Sequence, residues 1–328
     1  LAHLKVAKRE IIRLGWQEDP NQLILYPGSN SDRTMAEVFG DQVVHIDPDS
    51  KALALLQKKG FRTKQMTIED YIAKYKLDNW SIKKNKENQG WKNNFAMLLE
   101  EAKGDIVFLC DQDDIWHLDK IQKMSKIMEN NDKILLLASN YTPFYVGDGV
   151  KIKLDKSDLD NSEAVYQPNF LDNFFHIRRP GCVYAVNKKI IPYFLEIRSN
   201  EDAHDALLWR LASLLNGLYI YSYSTIDFRR HDGNATGSRE RSFLRRKEQV
   251  IYYDDLLQRL DKFSKQHDLS LSNEQISVLN DYILWGKNRR ELFMKKNVFI
   301  FLKLFKYHKL YWSFRSYITD FIVLYMKG

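Results

Sequence analysis

The chain has 328 residues, room for one large or two ordinary domains with an ample core, and its 44% hydrophobic and 28% charged content is that of a soluble globular protein. The net charge of +7 is uneven: residues 282–328 hold ten Lys/Arg against two acids, Glu291 and Asp320, while the rest is near neutral. The only two cysteines, Cys110 and Cys182, lack metal-ligand or redox spacing, no run approaches the ~20 apolar residues of a bilayer span, and the first residues lack a secretory pattern. Both thiols lie in apolar stretches, so buried, reduced cysteines and a cytosolic location are expected.

Residues 4–14 read as a helix. A strand over 23–26 runs into a turn containing Gly28, and a second strand over 42–46 ends in Asp47, Pro48, Asp49 and Ser50. Residues 51–59 are helical with Gly60 as C-cap, and Thr67 to Asp70 opens another helix reaching residue 75. This βαβα order over residues 1–77 is of a nucleotide-binding type. Phe95, Leu98, Leu99 and Ala102 follow helical spacing and Gly104 ends that helix. The run 106–110 reads as a strand buried on both faces of a mostly parallel sheet. A helix starts near Leu118, strands are expected over 134–138 and 183–186, a helix over 206–215 and a strand over 218–223. From Ser242 onward the pattern is helical. The expected divisions are 1–77, 78–240 and 241–328.

The most informative point is the end of the 106–110 strand. Asp111, Asp113 and Asp114 fall within four positions there. Ligand sites of open α/β sheets lie outside the carboxyl ends of strands. Clustered carboxylates repel unless a cation sits among them, and a hard divalent ion with oxygen ligands suits them. The alternative is an acidic turn that merely caps the next helix.

Several motifs stand in order: Asn88, Gly90 and Asn94 before the first helix of this region; Asp111-Gln112-Asp113-Asp114-Ile115-Trp116; Pro180-Gly181-Cys182; His204-Asp205; and Phe228 to Gly237, with Arg230 and His231. Together, over about residues 80–240, they resemble bacterial family 2 glycosyltransferases of the rhamnosyltransferase-like kind used in cell-surface polysaccharide assembly. The resemblance implies an α/β fold, a Rossmann-like GT-A sheet, here with a helical C-terminal extension. It implies an inverting, metal-dependent transfer from a nucleotide-sugar donor, a UDP- or dTDP-sugar, to a glycan or lipid-linked acceptor. Asp113 would hold Mg²⁺ or Mn²⁺ with His231 as a further metal or diphosphate contact. Asp111 would sit near the donor ribose, with Asn88, Gly90, Asn94 and Arg230 also on the donor side. Asp114, Trp116 and Gly181 would face the acceptor, Trp116 being open to a core role instead. Asp205 would be the general base, against the alternative of a plain N-cap beside a solvated His204; Glu201 and Asp202 are weaker candidates.

The opening of the chain departs from that family, which begins with different base- and ribose-binding strand ends. Residues 1–77 weakly resemble the first half of a class I S-adenosylmethionine methyltransferase, with one glycine, Gly28, where that fingerprint wants two or three. Three explanations stay open. The segment completes the donor site through Asp47 or Asp49; or it is a methyltransferase-like remnant on a non-catalytic binding protein; or a fused junction lies near 76–80. The basic tail interleaves aromatics with Lys303, Lys306 and Lys309. Without a nucleic-acid signature this points away from nucleic acid and toward an anionic membrane surface at the inner face of the cell membrane, or to a helical hairpin with a solvated basic face.

Overall fold

The computed structural model describes residues 85–111, 114–145, 154–230 and 242–326, and shorter stretches before them (24–27, 43–47, 54, 57–58, 63–67, 70, 73–74 and 76). Asp113, His231, Gly28 and Asp49 and the helix expected over 4–14 lie outside the described residues, as do the side chains of Asp47 and Arg230. Two compact units divide the chain, 1–88 and 89–328.

The first unit contains β1 (Ile24–Pro27), β2 (Val43–Asp47) and β3 (Thr63–Gln65), a parallel sheet in the order β1-β2-β3. Both strands expected from the sequence are present. The third was missed because Thr63-Lys64-Gln65 is polar and offers no apolar run.

In the second unit α1 (Gly90–Glu101) leads to β4 (Ile106–Phe108), β5 (Ile115–Trp116) and α2 (Lys120–Glu129). Next come β6 (Leu136–Tyr145), α3 (Lys156–Leu159), β7 (Val165–Tyr166), α4 (Phe170–Asn173), β8 (Tyr184–Asn187) and α5 (Ile191–Ile197). They are followed by α6 (His204–Leu214), β9 (Leu218–Arg230), α7 (Phe243–Gln266), α8 (Asn273–Lys295), α9 (Val298–Lys303) and α10 (Phe314–Tyr325). The sheet runs β4-β8-β6-β9-β5, with β7 also on β9.

This sheet is mixed, which corrects the expectation of a mostly parallel one. Among the described residues of this sheet only β6 and β9 pair in parallel, while β4 and β6 both run antiparallel to β8 and β5 and β7 run antiparallel to β9. The acid-bearing strand also differs from expectation. β4 stops at Phe108 and stands at the margin of the described sheet with β8 as its partner, so its residues are half-buried rather than enclosed on both faces. Cys110, two residues past its end, is exposed; only Cys182 is buried as expected.

Alternation along the strands builds two cores. Leu136, Ala138, Tyr184 and Val186 face one side, where α6, α7 and α8 supply Leu207, Leu211, Leu257 and Trp285. Leu137, Ala185 and Tyr221 face the other, covered by Met124 and Met128 of α2. The five residues Leu136 to Asn140 at the centre are all buried, and the polar pair among them is satisfied: Ser139 Oγ lies 2.5 Å from Thr225 Oγ1 and Asn140 Nδ2 donates to the Asp160 carbonyl at 2.6 Å.

The tail packs on the larger core. Phe301, Leu304, Tyr307 and Leu310 are buried at every third position, and Leu302, Lys303, Phe305, Lys306 and Lys309 are exposed. That period is three because residues 304–310 form a 3₁₀-helix, whose turn holds three residues. Among the described residues no helix is long and apolar enough to cross a membrane.

Candidate active site

The site starts at the loop that follows β4. One ligand atom each from Asp111, Asp114 and Cys182 lie within 4.8 Å of one another. Asp111 comes from that loop and Asp114 from the residue before β5. Asp114 Oδ1 accepts the backbone amide of Arg229 at 3.0 Å, which ties the acid turn to β9. Cys182 lies in a short 3₁₀ turn, 181–183, leading into β8.

Asp111 and Asp114 fit a hard divalent cation, which takes one or two carboxylates and completes its shell with water and phosphate oxygens. Cys182 does not belong to such a donor set. Burial pushes its thiol well up, and the neighbouring Asp114 carboxylate adds to that, so it stays protonated.

Sequence reasoning missed Lys120. It is fully buried at the start of α2, with Nζ donating to the Cys182 carbonyl at 2.7 Å and lying 3.9 Å from the centre of the Trp116 ring. Burial pulls its ammonium down to about 8, while Asp114 and Asp111 favour the charged form. The signal was present only as a lysine six positions after Asp114, which a solvated helix start would show equally well. Trp116 is half-buried and packs against the main core, with its ring under that ammonium.

The second half of the site is Asp205. It is the second residue of α6, and its Oδ1 accepts the Ala206 amide at 2.7 Å. The N-cap is Ala203, so Asp205 is not the plain cap considered above. His204 is likewise not solvated. It is buried, stacks on Phe95 with ring centres 3.8 Å apart, and meets the half-exposed Trp91 edge-on at 5.9 Å. Burial holds its imidazole below the usual histidine range, so the ring is neutral. Its buried Nδ1 has no hydrogen-bond partner among the described residues.

Gly181 joins the halves. A Cβ there would lie 2.9 Å from Asp205 Cβ and 3.0 Å from His204 Nε2, closer than real Cβ contacts allow. The next residue, Cys182, belongs to the acid group. Consecutive Cα atoms are about 3.8 Å apart, so one dipeptide has Asp205 against one residue and the carboxylate pair against the other.

Of the other expected site residues, Gly90 is the first residue of α1 with φ +70°, a left-handed conformation that glycine adopts without penalty. Asn94 is half-buried on the next turn, and Asn88 is exposed just before the helix. The start of α1 is tied to the loop before α6: Lys92 Nζ donates to the Glu201 carbonyl at 2.6 Å and Arg198 Nη2 to Asn93 Oδ1 at 2.6 Å. Glu201 is exposed. Asp202 is buried in a two-pronged pair with Arg259 of α7, at 2.8 and 2.9 Å, and accepts from Tyr252 at 3.0 Å, so it anchors the loop.

Residues 65–179 match the sequence profile of Glycosyl transferase family 2. Over 156 residues the chain is 31% identical to the dTDP-rhamnosyl transferase RfbG of Shigella flexneri, covering 44% of this chain and 50% of that protein; the chain thus spans about half the length of this curated relative. The crystal structure of S. aureus TarS 1-349 in complex with UDP-GlcNAc superposes with a TM-score of 0.49 and 14% identity, over 87% of this chain and 90% of that one. That of S. aureus TarS 1-349 gives 0.43 and 13%, over 82% and 70%. The profile match takes in the acid turn and ends just before Gly181.

Proposed function

We propose that this chain, whose residues 65–179 match the profile of Glycosyl transferase family 2, is an inverting, metal-dependent transferase of the GT-A type. It moves a sugar from a dTDP- or UDP-linked donor to a glycan or lipid-linked acceptor in cell-surface polysaccharide synthesis. The dTDP-rhamnosyl transferase of Shigella flexneri to which it is similar favours a dTDP-sugar. The observation that carries the reading is the placement of a carboxylate pair and a third, separate carboxylate on either side of Gly181-Cys182.

Asp111 and Asp114, with Asp113 between them in sequence, would hold Mg²⁺ or Mn²⁺. When bound, such an ion neutralises charge on the diphosphate of the donor. Asp205 takes the proton of the acceptor hydroxyl as that oxygen attacks the anomeric carbon from the face opposite the leaving group. Its geometry is fixed by the Ala206 amide and by contact with Gly181. Neutral His204 packs beside it without adding a competing positive charge, and the half-exposed ring of Trp91 offers a flat surface for a sugar. Lys120 offsets part of the repulsion within the acid pair before a cation arrives.

The exposed row of Phe299, Leu302 and Phe305 with Lys303, Lys306 and Lys309 supports peripheral contact with an anionic membrane at its cytoplasmic face, where a lipid-linked acceptor would be met.

The test is calorimetric titration of dTDP and UDP with and without Mn²⁺. Binding should require the ion and weaken at least tenfold in Asp111→Asn and Asp113→Asn. Equal binding in EDTA would remove the metal role, and no binding of either nucleotide under any condition would remove the transferase reading.

A further inference from the structure

A cavity of about 270 Å³ lies among α6, α7, α8, the segment after α4 and the turn before α10. Arg210, Arg246 and Arg289 line it together with Trp285, Tyr311 and Trp312. The cavity is partly open, and the balance of charge along its buried wall is unusual. Arg289 and Arg246 share one carboxylate, the fully buried Asp320: Arg289 binds it at 2.9 and 3.1 Å and Arg246 at 2.7 Å. Arg210, 3% exposed, has no carboxylate partner among the described residues. Its Nε and Nη1 donate to the carbonyls of Phe175 and Ala206, its guanidinium lies 4.6 Å from the centre of the Phe175 ring, and Nη2 has no hydrogen-bond partner among the described residues. Trp285, 2% exposed, also has its indole Nε1–H buried and without a partner. The one histidine on the wall, His176, is pushed down to about 4 by burial and adds no charge.

Among the described residues three guanidinium groups thus meet one carboxylate; Arg210 Nη2 and Trp285 Nε1 keep unused N–H donors, while Arg246 Nη1 and Nη2 donate to Gln249 Oε1 at 2.9 Å and the Ser316 carbonyl at 3.1 Å and each retain a second N–H. A buried cation without a counter-ion is costly, and the site recovers that cost when an anion enters. Guanidinium forks fit phosphate oxygens in pairs of parallel hydrogen bonds. The indole rings supply an apolar wall of the kind that packs a sugar or other ring, and Trp312, 62% exposed, stands at the rim.

We propose that this cavity is a second ligand site that binds the phosphate group of a phosphorylated ligand, with Arg210 and Arg246 on the phosphate and the aromatic wall against the group it carries. The site needs neither nucleotide nor divalent metal. Arg210 follows Asp205 by five positions on α6, or about 7.5 Å along the axis. In the transferase proposed above, a ligand held here is the phosphate end of an extended acceptor that reaches around α6 to Asp205; that role rests on the transferase reading, whereas phosphate binding does not.

Tryptophan fluorescence of the full chain, titrated in EDTA, tests it with three probes: inorganic pyrophosphate, a hexose 1-phosphate, and phosphatidylcholine vesicles doped with polyprenyl phosphate. At least one should bind saturably, and the tightest identifies whether the phosphate comes free, on a sugar or on a lipid. Arg210→Gln should weaken that probe roughly tenfold or more. Arg246→Gln, at the more accessible edge, should weaken it too should Arg210→Gln fail to fold. Asp111→Asn should bind the probe as the parent does. The proposal is overturned by a parent chain that binds none of the three, or by folded arginine variants that bind as tightly as the parent. A chain that binds Mn²⁺–nucleotide but no probe loses this proposal alone; one that binds a probe but no nucleotide loses only the transferase reading.

Discussion

At position 181 the absence of a side chain decides where Asp205 sits. Gly181→Ala would force a methyl group into Asp205 Cβ and His204 Nε2. Displacing a reacting group by about 1 Å costs on the order of 10²-fold in rate. The substitution should therefore lower kcat of sugar transfer about a hundredfold, with nucleotide affinity nearly unchanged, as separate turnover and calorimetric measurements would reveal. Asp205→Asn should lower kcat by about 10²–10⁴-fold while retaining donor binding; normal turnover in that variant would discard the base assignment. Lys120→Met removes a cation beside Asp111 and Asp114 and should tighten Mn²⁺ binding. Unchanged affinity would show that the ammonium is electrically remote from the pair.

Among the elements, α6 depends on a clamp that is not on α6 itself. Asp202, three residues before Asp205, is held by Arg259 of α7. Burial alone would raise its carboxyl, but Arg259, the Ser199 amide and Tyr252 hold it below the ordinary value of 3.8. A depressed carboxyl contributes stability that is fully present above the unfolded-state value and fades as pH falls through the folded one. Asp202→Asn should thus cost about 3 kcal/mol at neutral pH, less below about pH 4, which chemical denaturation at several pH values would measure. The clamp was invisible in the sequence, because its partners stand far apart and Asp202 reads as one more acid beside Glu201. Elements with a strong apolar period were legible: α1, β2, α6 and the first half of β9 emerge near the expected bounds. Strand direction was not, because β4 and β8 are each short apolar runs that would look the same in either orientation. At the site, the acid turn was legible from spacing, and Asp205 only through family resemblance. Lys120 and the contact of Gly181 with Asp205 come from chain crossings that no local pattern encodes.

Taken as a whole, the molecule has its large core closed by the C-terminal helices. Asp320 of α10, fully buried between Arg289 and Arg246, locks α10 to α8 and α7. Removing it would leave two guanidinium groups without their carboxylate, so Asp320→Ala should destabilise by about 3–5 kcal/mol, read as a lower denaturation midpoint. The row Phe299, Leu302 and Phe305 belongs to the outer side of the same tail. Changing Phe299 and Phe305 together to Ser should leave thermal stability within about 0.5 kcal/mol but reduce flotation with anionic liposomes; equal flotation would assign the row to something other than lipid.

The parallel pairing of β6 with β9 carries a consequence for how the chain acquires its shape. Leu136 lies beside Leu218, and between them the polypeptide must first lay down α3, β7, α4, β8, α5 and α6. During synthesis the central strand of the sheet therefore waits with one flank unclaimed until β9 leaves the ribosome. Late closure of such distant partners makes folding slow and the waiting edge sticky. Chains halted before residue 218 should accordingly aggregate or recruit holdases more than chains halted after residue 230, in which the β6 flank is paired although the C-terminal helices are still missing.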